Sequence, residues 1–346
     1  MRPGIIPEGI IERIALLSGL VPTPLLELYW GIALSRTLLA GIRLGIFDQL
    51  EKGGKSASKL AEDCQCHPIA MEHLLNALNG FGYLRRQNGK YWLKKNSAKW
   101  FLKTSPRSMR DSFLFMGELF SWFDQIETIV KTGNPPRFHD PSRPPEFWET
   151  YLRGLANFAR YVAPEIARKV SLKKKPEKLL DVGGGHGIYS IAFCRRYPEL
   201  KAEILDLPQA VEAGKKLVEE QGFSSQISFR PADLLTSDWG EGYDLVLIFN
   251  VIHIFTPEQV EEIFIKAKKS LSLGGRLVFL DSEHTGGEKD LSATSGFNQL
   301  LFYLINGTKI YPEEKIKSWL AQAGFKKITK KRLLRVPMSL FLIAEK

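Results

Sequence analysis

The chain has 346 residues, of which 44% are hydrophobic and 25% charged, and it carries a net charge of +10 at neutral pH. These fractions are those of an ordinary folded protein, and they exclude the collagen-like, disordered and disulfide-scaffold classes. The length exceeds one average domain, so we expect a large domain and a smaller one. Because lysine and arginine are dispersed, the charge alone does not select nucleic acid, membrane or an acidic substrate as a partner.

The N-terminal segment and the cysteines indicate a cytoplasmic protein. The apolar start is interrupted by charged residues and has no cleavage pattern, so it does not resemble a secretory leader. The longest uncharged window, 291–308, is rich in Ser, Thr, Asn and Gln, which predicts an amphipathic helix and no membrane span. Three cysteines cannot form a disulfide framework. Cys64, Cys66 and His67 lack a second ligand pair at zinc-finger spacing, so we expect no metal site.

Residues 1–105 are predicted to form a helical winged-helix domain. Ser56 is the expected N-cap of one helix, and the next helix has Pro68 in its first turn and Gly80 as its stop. The Asn-Gly pair at 88–89 then separates two alternating segments, as in a tight hairpin. Helix, helix and hairpin form the outline of a winged helix.

Two interpretations of this domain remain open. A DNA-reading winged helix uses Arg, Lys, Asn or Gln on its recognition helix, whereas segment 68–80 contains no Arg or Lys. The basic hairpin, with Arg85, Arg86 and Lys90, would still allow phosphate contact. The other interpretation is a dimerisation module, for which the apolar stretch 25–47 offers an interface helix. The absence of Arg and Lys from segment 68–80 disfavours a nucleic-acid partner.

Residues 106–170 are predicted to form two long connecting helices around a proline-rich loop, 133–147. Both helices carry aromatic side chains, which are either plain core or the wall of an apolar pocket for a flat ligand. On the second helix these include Phe147, Trp148, Tyr151 and Tyr161. The side chains that we assign to a substrate pocket are Phe115, Met116, Phe158, Phe297 and Phe302.

Residues 171–346 alternate short apolar strands with helices, which is typical of a Rossmann-like, doubly wound α/β sheet. The last two segments can pair as an antiparallel hairpin at the sheet edge, which gives seven strands. Ligands of such sheets bind beyond the carboxyl ends of the strands. We therefore look for the site where strands run into loops.

The first strand-to-helix turn of this sheet is rich in glycine. Asp181, Gly183, Gly185 and Gly187 form a DxGxGxG pattern. A dinucleotide fingerprint would need glycine at position 188, which is isoleucine, and no P-loop lysine follows. A bare backbone beside acidic side chains suits a positively charged ligand without a pyrophosphate, and S-adenosyl-L-methionine (SAM) fits. The alternative is a purely structural tight turn.

Carboxylates end the next two strands. Asp206, followed by Leu207, ends the second strand, where it can accept hydrogen bonds from both ribose hydroxyls. Asp233 follows the third strand, where it can bind the adenine amino group while Leu234 covers the ring. Asn250, after the fourth strand, completes the predicted cofactor site. Each aspartate alone could be a helix cap or a turn residue, but aspartates at three successive strand ends favour a nucleoside ligand.

With these motifs the chain, from about residue 25 to the end, resembles the class I SAM-dependent O-methyltransferases of the plant caffeate and hydroxyindole type and of bacterial polyketide and pigment synthesis. The order of the motifs carries the resemblance: winged helix, aromatic helices, LLDVGGGHG, LDLP, ADLL, VIHIF, GGRLVFLD and AGF. It implies a homodimer, SAM bound around Gly183, Asp206, Asp233 and Leu234, methyl transfer to a hydroxyl group, and His253 as the base.

The position of His253, where the fourth strand reaches its carboxyl end, also places it beside the ligand crevice. Histidine is the side chain best suited to accept a proton at neutral pH. Asp281, at the end of the next strand, is the predicted orienter of the imidazole. The chain departs from the family pattern at Ile254 and Phe255, where relatives have Asp or Asn followed by Trp. It also has Ile310 where a second glutamate is expected.

The preferred function is a SAM-dependent methyltransferase that acts on a hydroxyl group of a flat, largely apolar small molecule. Two alternatives remain open. In the first, the methyl group goes to carbon or nitrogen, for example on a tetrapyrrole or another pigment. In the second, the winged helix is a DNA-binding regulator and the α/β domain senses SAM.

Overall fold

The computed structural model describes residues 4–172, 174–287 and 290–346. It divides into two compact units, Met1–Gly117 and Glu118–Lys346. The finer division expected from the sequence, into segments 1–105, 106–170 and 171–346, stays a prediction.

The first unit is helical with one hairpin. Ser56 caps α4 by accepting the backbone N–H of Lys59, and Asn88 and Gly89 turn the hairpin with positive φ. The local signals in the sequence therefore act as expected. The elements are α1 (Ile10–Leu17), α2 (Thr23–Arg43), α3 (Ile46–Gln49), α4 (Ala57–Asp63), α5 (Pro68–Gly80), β1 (Leu84–Gln87), β2 (Lys90–Leu93), α6 (Lys95–Phe101) and the start of α7 (Arg110–Phe123).

Helices α1 and α2 expose most of their apolar side chains. Within the described residues, α2 is the one helix that is long and apolar enough to cross a membrane by length and composition, and only 17% of its apolar window is buried. An exposed apolar surface of this kind marks an interaction site. We call it the N-terminal apolar surface; it comprises Ile10, Ile11, Ile14, Leu25, Leu28, Tyr29, Trp30 and Ile32.

The second unit is an α/β domain. Its helices are the end of α7, α8 (Ile126–Thr132), α9 (Pro145–Lys169), α10 (Ile188–Arg196), α11 (Pro208–Glu220), α12 (Pro257–Ser270), α13 (Ala293–Asn306) and α14 (Glu313–Gln322), with a 3-10 turn at Ile252–Ile254. Its strands are β3 (Lys178–Val182), β4 (Lys201–Asp206), β5 (Ile227–Pro231), β6 (Tyr243–Phe249), β7 (Leu271–Ser282), β8 (Gly286–Gly287), β9 (Asp290–Leu291), β10 (Lys326–Lys331) and β11 (Ser339–Glu345).

The large sheet has seven strands in the order β10-β11-β7-β6-β3-β4-β5. Strands β5, β4, β3, β6 and β7 run parallel, while β11 pairs antiparallel with β7 and β10. This confirms the predicted doubly wound sheet with its C-terminal hairpin. The chain places β4 and β5 on one side of β3 and β6 and β7 on the other, so a crevice opens at the carboxyl end of β3.

Apolar cores cover both faces of this sheet. Leu179 of β3 and Leu245 of β6 pack with residues of α9, α10 and α11. Their neighbours Leu180 and Val246 point to the other face and pack with residues of α12 and α14. Because both faces are buried, these strands are continuous apolar runs, which made them visible in the sequence.

The first of the two long connecting helices is broken in the structure. α7 ends at Phe123 and α8 begins at Ile126. The side-chain amide of Gln125 donates to the Ser121 carbonyl at 3.0 Å. In a continuous helix this carbonyl would accept the backbone N–H of Gln125. The Gln125 backbone N–H turns to Trp122 instead, at 3.1 Å. The side chain thus competes with the backbone for the next helical hydrogen bond.

Strand β10 is the edge of the sheet next to β11. Four of its six residues are lysines. Lys330 forms ion pairs with Glu283 and Glu313, and Lys327 lies 3.4 Å from Glu345. The edge is therefore strongly polar.

Glu165 of α9 ties that helix to the segment between β10 and β11. The residue is 4% exposed, and its carboxylate accepts the backbone N–H groups of Leu334, at 2.7 Å, and Arg335, at 3.1 Å. Glu165→Ala should lower the free energy of unfolding by about 2–3 kcal/mol, because two charge-assisted hydrogen bonds are lost. Urea denaturation at neutral pH measures this. Glu165→Gln keeps one acceptor oxygen and should lose less; an unchanged alanine variant would contradict the assignment.

Candidate active site

The glycines of the loop between β3 and α10 are required both by the backbone conformation and by the lack of room for a Cβ atom. Gly183, Gly185 and Gly187 have φ values of 68°, 28° and 70°, a region that favours glycine. The Gly183 N–H donates to the Leu205 carbonyl at 2.8 Å, which ties the loop to β4. A Cβ on Gly183 would lie 2.6 Å from a methyl group of Val251. A side chain is therefore excluded at Gly183.

Asp181 lies beneath this loop. Its side chain is 1% exposed and accepts the Ser190 hydroxyl hydrogen at 2.7 Å. A Cβ on Gly184 would lie 2.4 Å from the Asp181 carboxyl carbon. Burial, opposed by the Ser190 hydrogen bond, raises the pKa of Asp181 to about 7. The geometry makes Asp181 a support of the loop, and a direct contact with the cofactor stays a prediction.

Asp206 faces the same loop from the end of β4. Its Oδ2 accepts the Gly185 N–H at 2.8 Å, and its Oδ1 accepts the Leu207 N–H at 2.7 Å. A Cβ on Gly185 would lie 3.3 Å from Asp206 Oδ2. Burial raises the pKa of Asp206 to about 6, against these two hydrogen bonds. A carboxylate and a bare backbone therefore meet at the carboxyl end of the sheet.

Asp233 and Leu234 follow β5 in a tight turn. Asp233 is exposed, and its Oδ1 accepts the Leu235 N–H at 2.8 Å, which is an Asx turn. Leu234 packs on the core beneath, and its carbonyl accepts the Trp239 indole N–H at 2.8 Å. Lys266 of α12 also donates to the Leu234 and Leu235 carbonyls. Trp239 and Lys266, which were not predicted as site residues, thus hold this turn.

Asn250 turns the chain out of β6. It has a φ of 54°, which asparagine tolerates better than most residues. Its backbone N–H donates to the Leu280 carbonyl at 2.7 Å, and its exposed side chain hydrogen-bonds with Tyr189 of α10. The left-handed turn directs the chain toward His253.

His253 and Asp281, predicted to act together, form a hydrogen bond. His253 lies in the 3-10 turn after β6, and its Nδ1 is 2.7 Å from Oδ1 of Asp281 at the end of β7. The two side chains are 12% and 8% exposed. Because the carboxylate accepts, Nδ1 carries the proton and Nε2 keeps its lone pair. The imidazole can therefore accept a proton at Nε2.

A small cavity borders this pair on one side. Its lining includes Ile310 and Tyr311 together with His253 and Asp281. Ile310 is buried, and the Tyr311 hydroxyl donates to the Phe255 carbonyl at 2.6 Å. Within the described residues, Asp281 Oδ2 has no hydrogen-bond partner. An apolar side chain thus occupies the position where the resemblance led us to expect a second acid.

The five predicted pocket residues have different surroundings. Phe302 stacks on the His253 ring, with centroids 3.8 Å apart. Phe297 is 48% exposed and stacks on Phe123, and Phe158 is 46% exposed on α9. The remaining two, the buried Phe115 and the exposed Met116, lie on α7 in the first unit. Phe302 therefore contacts the proposed base, and a role in the substrate pocket stays a prediction for all five residues.

A polar group inside the aromatic wall was missed by the sequence analysis. His139 Nε2 lies 3.1 Å from the Tyr151 hydroxyl, and the imidazole also hydrogen-bonds with the Asn306 side chain. Burial, and secondly the charge of His253, lowers the pKa of His139 to about 4. The proline-rich loop has the composition of an exposed linker, and its single histidine among aromatic residues was the available signal. We call His139, Tyr151 and Asn306 the His139 cluster.

No group of three potential metal ligands occurs among the residues that the structure describes. In the Cys-Gln-Cys-His segment, the Cys66 thiol donates to the Cys64 carbonyl at 3.2 Å, and His67 caps α5. These contacts are structural.

The crevice fits a SAM molecule by its chemistry. Asp206 offers carboxylate oxygens for two vicinal hydroxyls, and the glycine loop leaves its backbone open to an aminoacyl group. The acidic side chains near it complement a positively charged ligand.

Two family models match the chain. An O-methyltransferase domain covers residues 127–326, and an O-methyltransferase dimerisation domain covers residues 26–104. The chain belongs to the O-methyltransferase family. The predicted enzyme class, a methyltransferase, and the predicted cofactor, SAM, are thereby confirmed.

Several known proteins are similar to this methyltransferase over nearly its whole length. A 3-hydroxy-5-methyl-1-naphthoate 3-O-methyltransferase of Streptomyces sahachiroi is 26% identical over 88% of this chain and 89% of its own length. An L-tyrosine C(3)-methyltransferase of Streptomyces lavendulae is 24% identical over 91% of both. Human N-acetylserotonin methyltransferase in complex with SAM has a TM-score of 0.79 at 19% identity, over 98% of both chains. An O-methyltransferase family protein of Burkholderia thailandensis has a TM-score of 0.82 at 18% identity, over 93% of this chain and 97% of its own.

The protonation of Asp206 predicts how cofactor affinity depends on pH. Below a pKa of about 6 the group is protonated and loses the acceptor that we assign to the ribose hydroxyls. S-adenosylhomocysteine (SAH) should therefore bind about tenfold more weakly at pH 5 than at pH 7.5, by the ratio of protonated to ionised group. Isothermal titration calorimetry measures this. Asp206→Asn should bind weakly at both pH values; an equal slope in the variant would contradict the assignment.

Proposed function

We propose that this methyltransferase transfers the methyl group of SAM to a hydroxyl group of a flat, largely apolar small molecule, with His253 as the general base. The observation that carries the proposal is the 2.7 Å hydrogen bond between His253 Nδ1 and Asp281 Oδ1. It fixes the tautomer that leaves Nε2 free to accept the hydroxyl proton.

Each residue of the site has a separate role in the proposed reaction. SAM, when bound, supplies an electrophilic methyl group on a positively charged sulfur. His253 Nε2 takes the proton from the substrate hydroxyl as the oxygen–carbon bond forms and the carbon–sulfur bond breaks. Asp281 stabilises the resulting imidazolium. Phe302, stacked on the imidazole, keeps the ring in place and excludes water beside it.

Rate enhancement comes from two sources. General base catalysis contributes about 10²- to 10⁴-fold. The remainder comes from holding oxygen, methyl carbon and sulfur in line, which the rigid strand ends and the loop below them allow. Asp206 and the glycine loop hold the donor, and we assign Asp233 and Leu234 to the adenine.

One relative supports methyl transfer to oxygen, and another leaves carbon as a possible acceptor atom. The Streptomyces sahachiroi relative is named for methylation of a hydroxyl on a naphthoate. The Streptomyces lavendulae relative is named for methylation of a carbon on tyrosine. Both acceptors are aromatic rings bearing a hydroxyl group, so the alternative of carbon methylation concerns the atom attacked more than the kind of molecule bound.

His253→Ala tests the base. With radiolabelled SAM and a panel of phenols and naphthols, kcat should fall about 10²- to 10⁴-fold, while SAH binding by calorimetry stays unchanged. Asp281→Asn is the matched variant, because it keeps the shape and loses the carboxylate that fixes the tautomer; its kcat should fall less. Unchanged turnover in His253→Ala would remove the base assignment, and fragmentation of the product separates oxygen from carbon methylation.

We also propose that the enzyme is a homodimer built through the N-terminal apolar surface. The dimerisation family model covers residues 26–104 and so includes most of α2, whose apolar side chains are exposed in the single chain. Dimerisation would cover this apolar surface, whereas DNA binding alone does not account for its exposure. A cytoplasmic location stays a prediction.

Charged substitutions test the dimer. Leu28 and Ile32 are 63% and 59% exposed and lie one helical turn apart. The double variant Leu28→Glu, Ile32→Glu should elute as a 39 kDa monomer in light scattering, where the wild type has twice the chain mass of 39.2 kDa. The control Glu27→Gln, on the same helix, should remain dimeric. A monomeric wild type at micromolar concentration would contradict the proposal.

A further inference from the structure

The His139 cluster is built from three separate elements. His139 lies in the loop before α9, Tyr151 on α9 and Asn306 at the end of α13. The loop is fastened to α13 by a hydrogen bond from the Phe138 N–H to the Ile305 carbonyl, at 3.0 Å. This contact brings His139 next to Asn306. Three polar side chains thus converge within a wall that is otherwise aromatic.

The end of α13 also touches the proposed base. Phe302 stacks on the His253 ring at 3.8 Å, and the Thr308 hydroxyl donates to the His253 carbonyl. Asn306 lies between these two residues in the chain. The two imidazoles are close enough for the charge of His253 to affect His139. The cluster and the base therefore border the same region of the molecule.

The hydrogen bonds of His139 fix the orientation of the Asn306 amide. Burial keeps His139 neutral at physiological pH, so one ring nitrogen donates and the other accepts. Asn306 Nδ2 has no hydrogen-bond partner among the described residues, so the hydrogen bond between Asn306 and His139 uses the amide oxygen, which accepts from a ring N–H. Nε2 then accepts from the Tyr151 hydroxyl at 3.1 Å. The amide oxygen of Asn306 faces His139, and its nitrogen faces away.

That amide nitrogen is a buried donor with no partner. Among the described residues, neither Asn306 Nδ2 nor the indole nitrogen of Trp148 has a hydrogen-bond partner, and the Trp148 ring lies 6.0 Å from that of His139. A buried donor without an acceptor costs about 1–3 kcal/mol. Such groups call for a specific explanation. Here a ligand oxygen would satisfy the donor.

We propose that Asn306, oriented by His139, donates to a carbonyl oxygen of the substrate, and so selects hydroxy-aromatic compounds that carry a ketone or ester carbonyl on the same ring system. This inference rests on the proposed function, since it concerns the acceptor molecule of that reaction. The three groups of the cluster are neutral, and the Asp206 carboxylate is close enough for its charge to affect Tyr151. A neutral acceptor therefore suits the site better than a carboxylate. Asn306 contacts the substrate, and His139 is a positioning residue.

The test compares ligands that differ in one carbonyl group. Dissociation constants of 6- and 7-hydroxy-1-tetralone and of 5,6,7,8-tetrahydro-2-naphthol are measured by calorimetry with SAH bound. The wild type should bind at least one hydroxytetralone about tenfold or more tightly than the tetrahydronaphthol, as expected for one buried hydrogen bond. Equal binding of all three, or binding of none, would overturn the proposal.

Variants then assign the preference to the cluster. Asn306→Leu removes the donor and His139→Phe frees the amide to rotate; both should reduce the preference to within about twofold. His139→Gln keeps a donor and an acceptor, so it should retain most of the preference, which a merely space-filling histidine would not explain. Each variant must bind SAH with the wild-type affinity to show that the fold is intact. A preference that survives in His139→Phe would overturn the role of His139.

Turnover separates this inference from the proposed function. If the hydroxytetralones bind preferentially but no methyl ether forms, the proposed hydroxyl methylation fails and the carbonyl site stands. If tetrahydronaphthol is bound and methylated as well as the tetralones are, hydroxyl methylation stands and the carbonyl site fails.

Discussion

The reversal of strand order at β3 is the constraint on which the site depends. The chain leaves β3 to one side for β4 and β5 and to the other for β6 and β7, so the loops after these strands separate and leave a crevice between them. The loop after β3 fills the floor of the crevice, and its close contacts with Asp181 and Val251 exclude side chains. Asp206 stands on one side and His253 on the other. In the proposed reaction, donor binding and proton transfer thus take place at the ends of β4 and β6, the two strands that flank β3 in one sheet.

Burial gives this crevice its electrostatic character. Asp181 and Asp206 both have raised pKa values because water is withdrawn from them, and backbone or hydroxyl donors offset only a fraction of that effect. A ligand with a positive charge would stabilise the ionised carboxylates and so offset the rest of this effect of burial. In the proposed reaction the donor carries a charge on sulfur that the product lacks, so the same carboxylates favour the donor over the product. Loss of the positive charge on methyl transfer therefore weakens binding and favours release of the product.

The sheet could be predicted from sequence because its strands are buried on both faces and therefore continuously apolar. The glycine loop, Asp206 and the His253–Asp281 pair could also be located, since each lies at a strand end. The His139 cluster could not, because its members are more than 150 residues apart at the extremes and meet through a loop contact between Phe138 and Ile305. Periodicity carries no information on such a contact. The break between α7 and α8 was missed for a similar reason, a single side-chain amide competing with the backbone.

The lysine-rich strand β10 limits how the sheet can grow. An edge strand presents unpaired backbone groups that could template pairing with another chain. The lysine side chains of β10 make such an approach electrostatically unfavourable and so oppose edge-to-edge pairing of this sheet with another chain. In the proposed homodimer the N-terminal apolar surface stays exposed until two chains associate, so a charged sheet edge leaves fewer places where a single chain can aggregate.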